Sequence, residues 1–164
     1  MSRIAARNLL MSLAAVAIVL AAVESTALAD KVHAKFKGKI VLSDAPFPTS
    51  FDSDAQAIKV IKNASKKEFV QNKKGTWSIE YMAFLKEKLD AKEAIIVFYD
   101  ITYRGDHEEV YSEGMRPDDP YSNVVINFIA LPAEFFQAGH EYEMQLLRGR
   151  NTKALAVATF KLKE

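Results

Sequence analysis

The sequence predicts an all-β fold, an antiparallel sandwich of about seven strands with one short inserted helix. Three observations carry this expectation. Short stretches with apolar residues on alternate positions recur along the chain, separated by turns rich in Gly, Asn, Asp and Lys. Two stretches, 94–103 and 123–131, are strongly apolar, and the first is apolar on both parities, as a central strand becomes when both faces are covered. Helical spacing is confined to one early segment.

Residues 1–29 are set apart from that fold. Arg3 and Arg7 precede an almost unbroken apolar run from Leu9 to Val23, and Ala27-Leu28-Ala29 offers small residues where a signal peptidase reads. The run is shorter than the roughly 20 residues a spanning helix needs. We therefore expect a signal peptide over 1–29, cleavage before Asp30, and one exported domain over 30–164, periplasmic or secreted, with no transmembrane segment after processing.

The elements follow in order. Residues 31–43 read KVHAKFKGKIVLS, with Val32, Ala34, Phe36, Ile40 and Leu42 on one parity and Lys31, His33, Lys35, Lys37 and Lys39 on the other. This predicts a long half-buried strand, bent at Gly38 and ended by Pro46 and Pro48. Ser53-Asp54-Ala55-Gln56 has the form of a capping box, and Ala57, Ile58, Ile61 and Ala64 continue it at helical spacing to about Ser65. A short strand is expected at 68–71 and a polar turn at Asn72-Lys73-Lys74-Gly75. Residues 76–85 place Trp77, Ile79, Tyr81, Ala83 and Leu85 on one face of a strand. The central strand 94–103 comes next, then a weak edge strand at 109–113, a loop at 116–120 and the apolar strand 123–131. A connection containing Phe135 and Phe136, expected as one helical turn, leads to a final hairpin of 141–147 and 154–163.

Just before the penultimate strand stands Ala138-Gly139-His140-Glu141-Tyr142. This resembles the tyrosine corner of immunoglobulin-like sandwiches, in which a Tyr near a strand start bonds back to upstream backbone. The resemblance covers 138–147 and the last hairpin, and it implies an immunoglobulin-like fold class rather than a function. The paired cysteines of antibody domains are missing, because the chain has no cysteine at all. Disulfides, thiol nucleophiles and thiolate metal ligands are thereby excluded, and packing alone must stabilise the fold.

Charge is balanced overall and divided along the chain. Without Arg3, Arg7 and Glu24 there remain 20 basic and 20 acidic residues; 30–92 holds 13 and 8 of these, and 93–164 holds 7 and 12. Every basic residue of the first part is lysine, which lacks the bidentate fork of arginine. A nucleic-acid partner is not expected from a neutral chain of this kind.

Several residues are candidates for chemistry. Lys35, Lys37 and Lys39 would form a cationic stripe able to attract an anionic polymer, although lysines on a strand chiefly wet it and discourage edge pairing. Trp77 and Tyr81 share one strand face and would make a stacking platform if exposed, or core if buried. Asp100 lies in an apolar strand, where burial would raise its pKa and suit it to general-acid work. Residues 106–109, Asp-His-Glu-Glu, could offer oxygen and imidazole ligands to a metal, but a charged turn explains them better. Met82 and Met144 lie within strand patterns, where thioethers fill core gaps. No GxSxG elbow, P-loop or dinucleotide-binding glycine motif occurs. The expectation is an exported, non-catalytic binding module without cofactor, whose partner is a protein or an anionic envelope polymer. The alternative is a small envelope enzyme or metal-handling protein built on Asp100 or the cluster from Asp106 to Glu109.

Overall fold

The computed structural model describes residues 30–48, 50–105 and 107–164. The described chain is mostly β. A helical segment α1 at 30–36 leads into β1 (Lys39–Ser43), helix α2 (Asp54–Ala64) and β2 (Glu68–Val70). Then follow β3 (Thr76–Phe84), β4 (Ala94–Asp100), β5 (Glu108–Met115), β6 (Val124–Pro132), β7 (Glu141–Leu147) and β8 (Ala156–Lys163).

The long first strand is the main departure from expectation. Its first part is helical instead, and the reason lies in an ambiguity of period: Val32 and Phe36 are four residues apart, a spacing that puts them on one face of a strand and equally on one face of a helix. Both pack with Val41, Phe47, Ile61, Met82 and Phe84. The strand begins only after Gly38, whose φ of 78° belongs to the left-handed region. A Cβ there would also press on the Lys86 side chain at 3.0 Å, a contact that flexible chain could relieve, so the backbone conformation is what calls for glycine.

Helix α2 starts as its capping residues dictate. Ser53 Oγ accepts from Gln56 N at 3.2 Å, and Gln56 Oε1 accepts from Asp52 N at 2.6 Å, one residue before the cap itself. Its apolar face, Ala57 and Ile61, is buried. Together α1 and α2 cover one face of β1 and β3, which explains why Met82 and Phe84 are buried although they point away from the main interior.

The strands form one eight-stranded sheet in the order β5-β4-β7-β8-β1-β3-β6, with β2 also paired to β8. The pairing is mixed rather than wholly antiparallel: β8 runs parallel to β1 at Lys39↔Val157 and parallel to β2 from Glu68↔Lys161 to Val70↔Lys163. The remaining pairs are antiparallel. The sheet wraps one interior, because side chains from its two ends meet there. Trp77, Ile79 and Tyr81 of β3 share a cluster with Ile96 and Phe98 of β4, Tyr142 and Met144 of β7 and Phe160 of β8. Phe98 meets Phe136 and Phe160 edge-on at 5.3 and 6.3 Å.

Two polar contacts join β3 to strands that are not its neighbours in the sheet. Trp77 Nε1 donates to Lys163 O at 2.8 Å, and the Tyr81 hydroxyl lies 3.5 Å from Met115 Sδ. Burial, with the Glu113 charge adding to it, pushes the Tyr81 phenol well above its ordinary value.

The corner before β7 has the bond expected of it. Gln137 N donates to the Tyr142 hydroxyl at 2.8 Å, and Tyr142 is buried against Phe136 and Phe160. The connection between β6 and β7 opens with one turn of helical form, Phe135 N and Phe136 N both donating to Pro132 O, and a second turn follows at Ala138-Gly139. No helix of the described residues is long and apolar enough to cross a membrane.

Candidate interaction surface

The residues singled out in the sequence are scattered. Lys35 lies in α1, Lys37 in the following turn and Lys39 at the start of β1; all three are exposed, but they do not form a ladder along one strand because the strand they required is not there. Trp77 and Tyr81 do share a face, and that face is interior: each is 1 % exposed. A stacking platform needs accessible rings, so these two residues belong to the core.

Asp100 is also not what an apolar strand suggested. Burial raises its pKa, but hydrogen bonds from Thr102 and His140 outweigh this and hold the carboxyl below its ordinary value. Its Oδ1 accepts from Thr102 N at 2.9 Å, and its Oδ2 accepts from His140 Nδ1 at 2.7 Å. An acid held ionised in this way clamps the start of β7 to the end of β4 instead of carrying a transferable proton.

The 106–109 cluster is drawn apart. Asp106 lies outside the described residues. His107 stacks on Tyr99 with ring centroids 4.1 Å apart and meets Glu143 Oε1 at 3.0 Å, while Glu109 meets Arg150 at 3.5 Å. Among the described residues no three His, Asp or Glu side chains are placed to hold one metal ion.

A shallow concavity of about 540 Å³ opens where β4, β5 and the β7–β8 turn meet, and no motif in the sequence marks it. Its rim carries Arg116, Arg148 and Arg150, a fork-bearing set suited to anions. These guanidinium groups are engaged within the chain. Arg116 holds Glu93 Oε1 at 2.9 Å, Arg148 binds Leu89 O and Lys88 O at 2.7 and 2.8 Å, and Arg150 binds Ser112 Oγ at 3.0 Å. With Glu93 and Glu113 also on the rim, the arrangement braces turns and offers no concentrated positive field.

The surface that stands out is the end strand β6, which among the described residues pairs with β3 alone. Val125, Ile129 and Leu131 are buried on its inner face, whereas Ile126 and Phe128 on the outer face are 50 % and 56 % exposed. From Tyr121 through Ala133 the chain has no charged residue. Leu85 N donates to Asn123 O at 2.8 Å, so by antiparallel alternation the odd-numbered residues of β6 direct their backbone groups to β3. The even-numbered ones, Val124, Ile126, Phe128 and Ala130, direct theirs to the open edge. Two of these are met by local side chains: the Ser122 hydroxyl accepts from Val124 N at 3.0 Å and donates to Val124 O at 2.7 Å, and Asn127 Oδ1 accepts from Phe128 N at 2.8 Å.

The apolar run 123–131 is legible in the sequence as a strand, but nothing there marks its place at the end of the sheet. The lack of any charge between Tyr121 and Ala133 points the other way, because sheet edges usually carry charge.

No protein-family model matches the chain, and no curated protein matches it. Among solved structures, an immunoglobulin-like protein from Pseudomonas aeruginosa is similar over 60 % of this chain and 79 % of its own, with 9 % identity and a TM-score of 0.35.

Proposed function

We propose that this chain is an exported, non-catalytic interaction module of immunoglobulin-like type that binds a protein partner through the β6 edge. The single observation that carries the reading is the pairing of an open, uncharged strand edge with exposed Ile126 and Phe128 on the same strand. Strand addition draws affinity from main-chain hydrogen bonds and specificity from alternate side chains, and β6 offers both. The immunoglobulin-like reading is supported by the grouping of β1, β3 and β6 by antiparallel pairing, opposite β4, β7 and β8, which parallels strands A, B and E facing C, F and G. The Tyr142 corner bond supports it independently.

Export is supported by the basic, apolar and small-residue sequence of 1–29. A protein partner suits an uncharged apolar strand better than an anionic polymer, which would need concentrated positive charge. The test is affinity capture from the native envelope fraction with the processed chain and with Phe128→Lys. Capture that the substitution abolishes supports the reading, and capture that is indifferent to it refutes the edge as the binding surface. Amino-terminal sequencing of the exported product should begin at Asp30.

A further inference from the structure

We propose that the partner at the β6 edge is a second copy of this chain, the two β6 strands pairing antiparallel about a twofold axis at Asn127; this rests on the reading of β6 as the binding surface. The geometry of the edge points to it. With Asn127 opposite its own copy, Ile126 of each chain faces Phe128 of the other, and Val124 faces Ala130. These even-numbered residues are the ones whose N–H and C=O groups are directed outward, so the register gives hydrogen-bonded pairs at 126 with 128 and at 124 with 130. Asn127 then falls in a non-hydrogen-bonded pair, where side chains approach most closely.

Side chains agree with that register. On the outer face an Ile meets a Phe from each chain, an aromatic and β-branched pair of the kind that stabilises neighbouring strands. On the inner face Val125 meets Ile129. No charged residue of the strand itself is brought into opposition, because none lies between Tyr121 and Ala133; Arg116 and Asp118 of the preceding loop lie beside Ile126 and Asn127 and flank the junction. The Ser122 and Asn127 side chains already meet the outward groups of Val124 and Phe128, and in the free chain they occupy positions a partner strand would take.

The other edge argues for closed pairs over open chains. Joining β6 of one copy to β5 of another would set Ile126 and Phe128 beside a strand bearing Glu108, Glu109 and Glu113. Only β6 with β6 matches apolar to apolar, and an isologous contact of this kind closes at two copies.

The test uses the processed full chain alone. Sedimentation equilibrium across the micromolar range should show a monomer–dimer equilibrium, and Phe128→Lys should weaken it at least about tenfold, as placing an ammonium against Ile126 of the partner would do. Ala130→Lys, at an exposed position, serves as a second variant should the first fold poorly. Because the chain has no cysteine, Asn127→Cys should give a disulfide-linked dimer under mild oxidation while Glu113→Cys on β5 does not. A chain that stays monomeric at all concentrations overturns the second copy, as does faster crosslinking at 113 than at 127. If such a monomer still captures an envelope protein in a Phe128-dependent manner, the edge reading survives and only the identity of the partner falls; if capture ignores Phe128, both fall.

Discussion

The strand at one end of the sheet, β5, carries Glu108, Glu109 and Glu113, all exposed, and its register with β4 shifts at Phe98/Tyr99 so that Val110 bulges out of the ladder. The strand at the other end, β6, is regular over Val124–Pro132, uncharged, and shows Ile126 and Phe128 to solvent. Charge and a bulge are the usual means by which a sheet edge is kept from pairing with another chain. One protein thus guards one of its edges and leaves the other open. Exposure of β6 is thus not a general tolerance of sticky edges in this chain, and the contrast is why we propose the binding surface at β6 and not in the concavity beside β5.

The comparison is meaningful only if both edges hang on one cooperative interior, and the largest effect tests that. Trp77 is buried in β3, next to β6, yet its indole N–H reaches Lys163 at the end of β8. Trp77→Ala should cost about 3–5 kcal/mol, the usual scale for removing a large buried ring. In denaturant titrations with hydrogen exchange read at each strand, β5 and β6 should lose protection together. Loss confined to β6 would mean that the edges belong to separate units.

A second substitution acts on one side only. Tyr142→Phe removes the acceptor of Gln137 N and leaves a part-buried amide without its bond, for a loss of about 1–3 kcal/mol. Thermal melting should report the drop. Native-state exchange should show the connection 133–139 and the β5 strand beneath it loosening first, since Tyr111 of β5 packs on Phe135 and Phe136, while β6 amides change only with global unfolding.

How much of this the sequence disclosed depends on what set each feature. Strands β3 to β8 were legible to within a few residues because each buries alternating side chains in one interior, a local pattern written in the residues themselves. The helix at Ser53 and the Tyr142 corner were legible because each is a short motif whose hydrogen bonds are made within a few residues. The segment 30–36 was misread because Val32 and Phe36 satisfy two periods at once; the choice was made by Phe84 and Met82, distant in sequence. The fate of Asp100 turned first on hydrogen bonding from Thr102, two positions on, and then on His140, forty positions away. Likewise, whether a strand ends a sheet is a property of its neighbours, so β6 could be recognised as a strand without being recognised as an edge. The parallel contacts of β8 escaped for the same reason.

The edges themselves can be exchanged in character. Replacing Glu109 and Glu113 by Val removes two of the three charges from β5 while leaving its core residues alone, at the cost of the Glu109 contact to Arg150 and the Glu113 contact to Tyr111. The variant should gain a second association surface, seen by light scattering as species beyond the dimer at concentrations where the parent shows none, an increase in apparent association of about tenfold. If no larger species appear, the glutamates are not what guards β5, and the bulge at Phe98/Tyr99 must carry that role alone.

The smallest effect concerns the clamp at the far end of β4. Asp100 is held ionised by Thr102 and His140, with its pKa below the ordinary 3.8. A carboxyl depressed in the folded state stabilises it above the unfolded value, and this contribution fades as pH falls through the folded value. Asp100→Asn should therefore lower stability by about 1 kcal/mol at neutral pH, the margin of a charged over a neutral hydrogen bond, and by progressively less below pH 3.8. Urea titrations of parent and variant at pH 7 and in acid give the comparison directly: converging curves place the charge of Asp100 in this clamp, and a constant gap would assign the loss to shape instead. Because the clamp joins β4 to β7 and leaves β6 untouched, dimerisation at neutral pH should be the same in both proteins, which separates the stability of the guarded side from the binding of the open one.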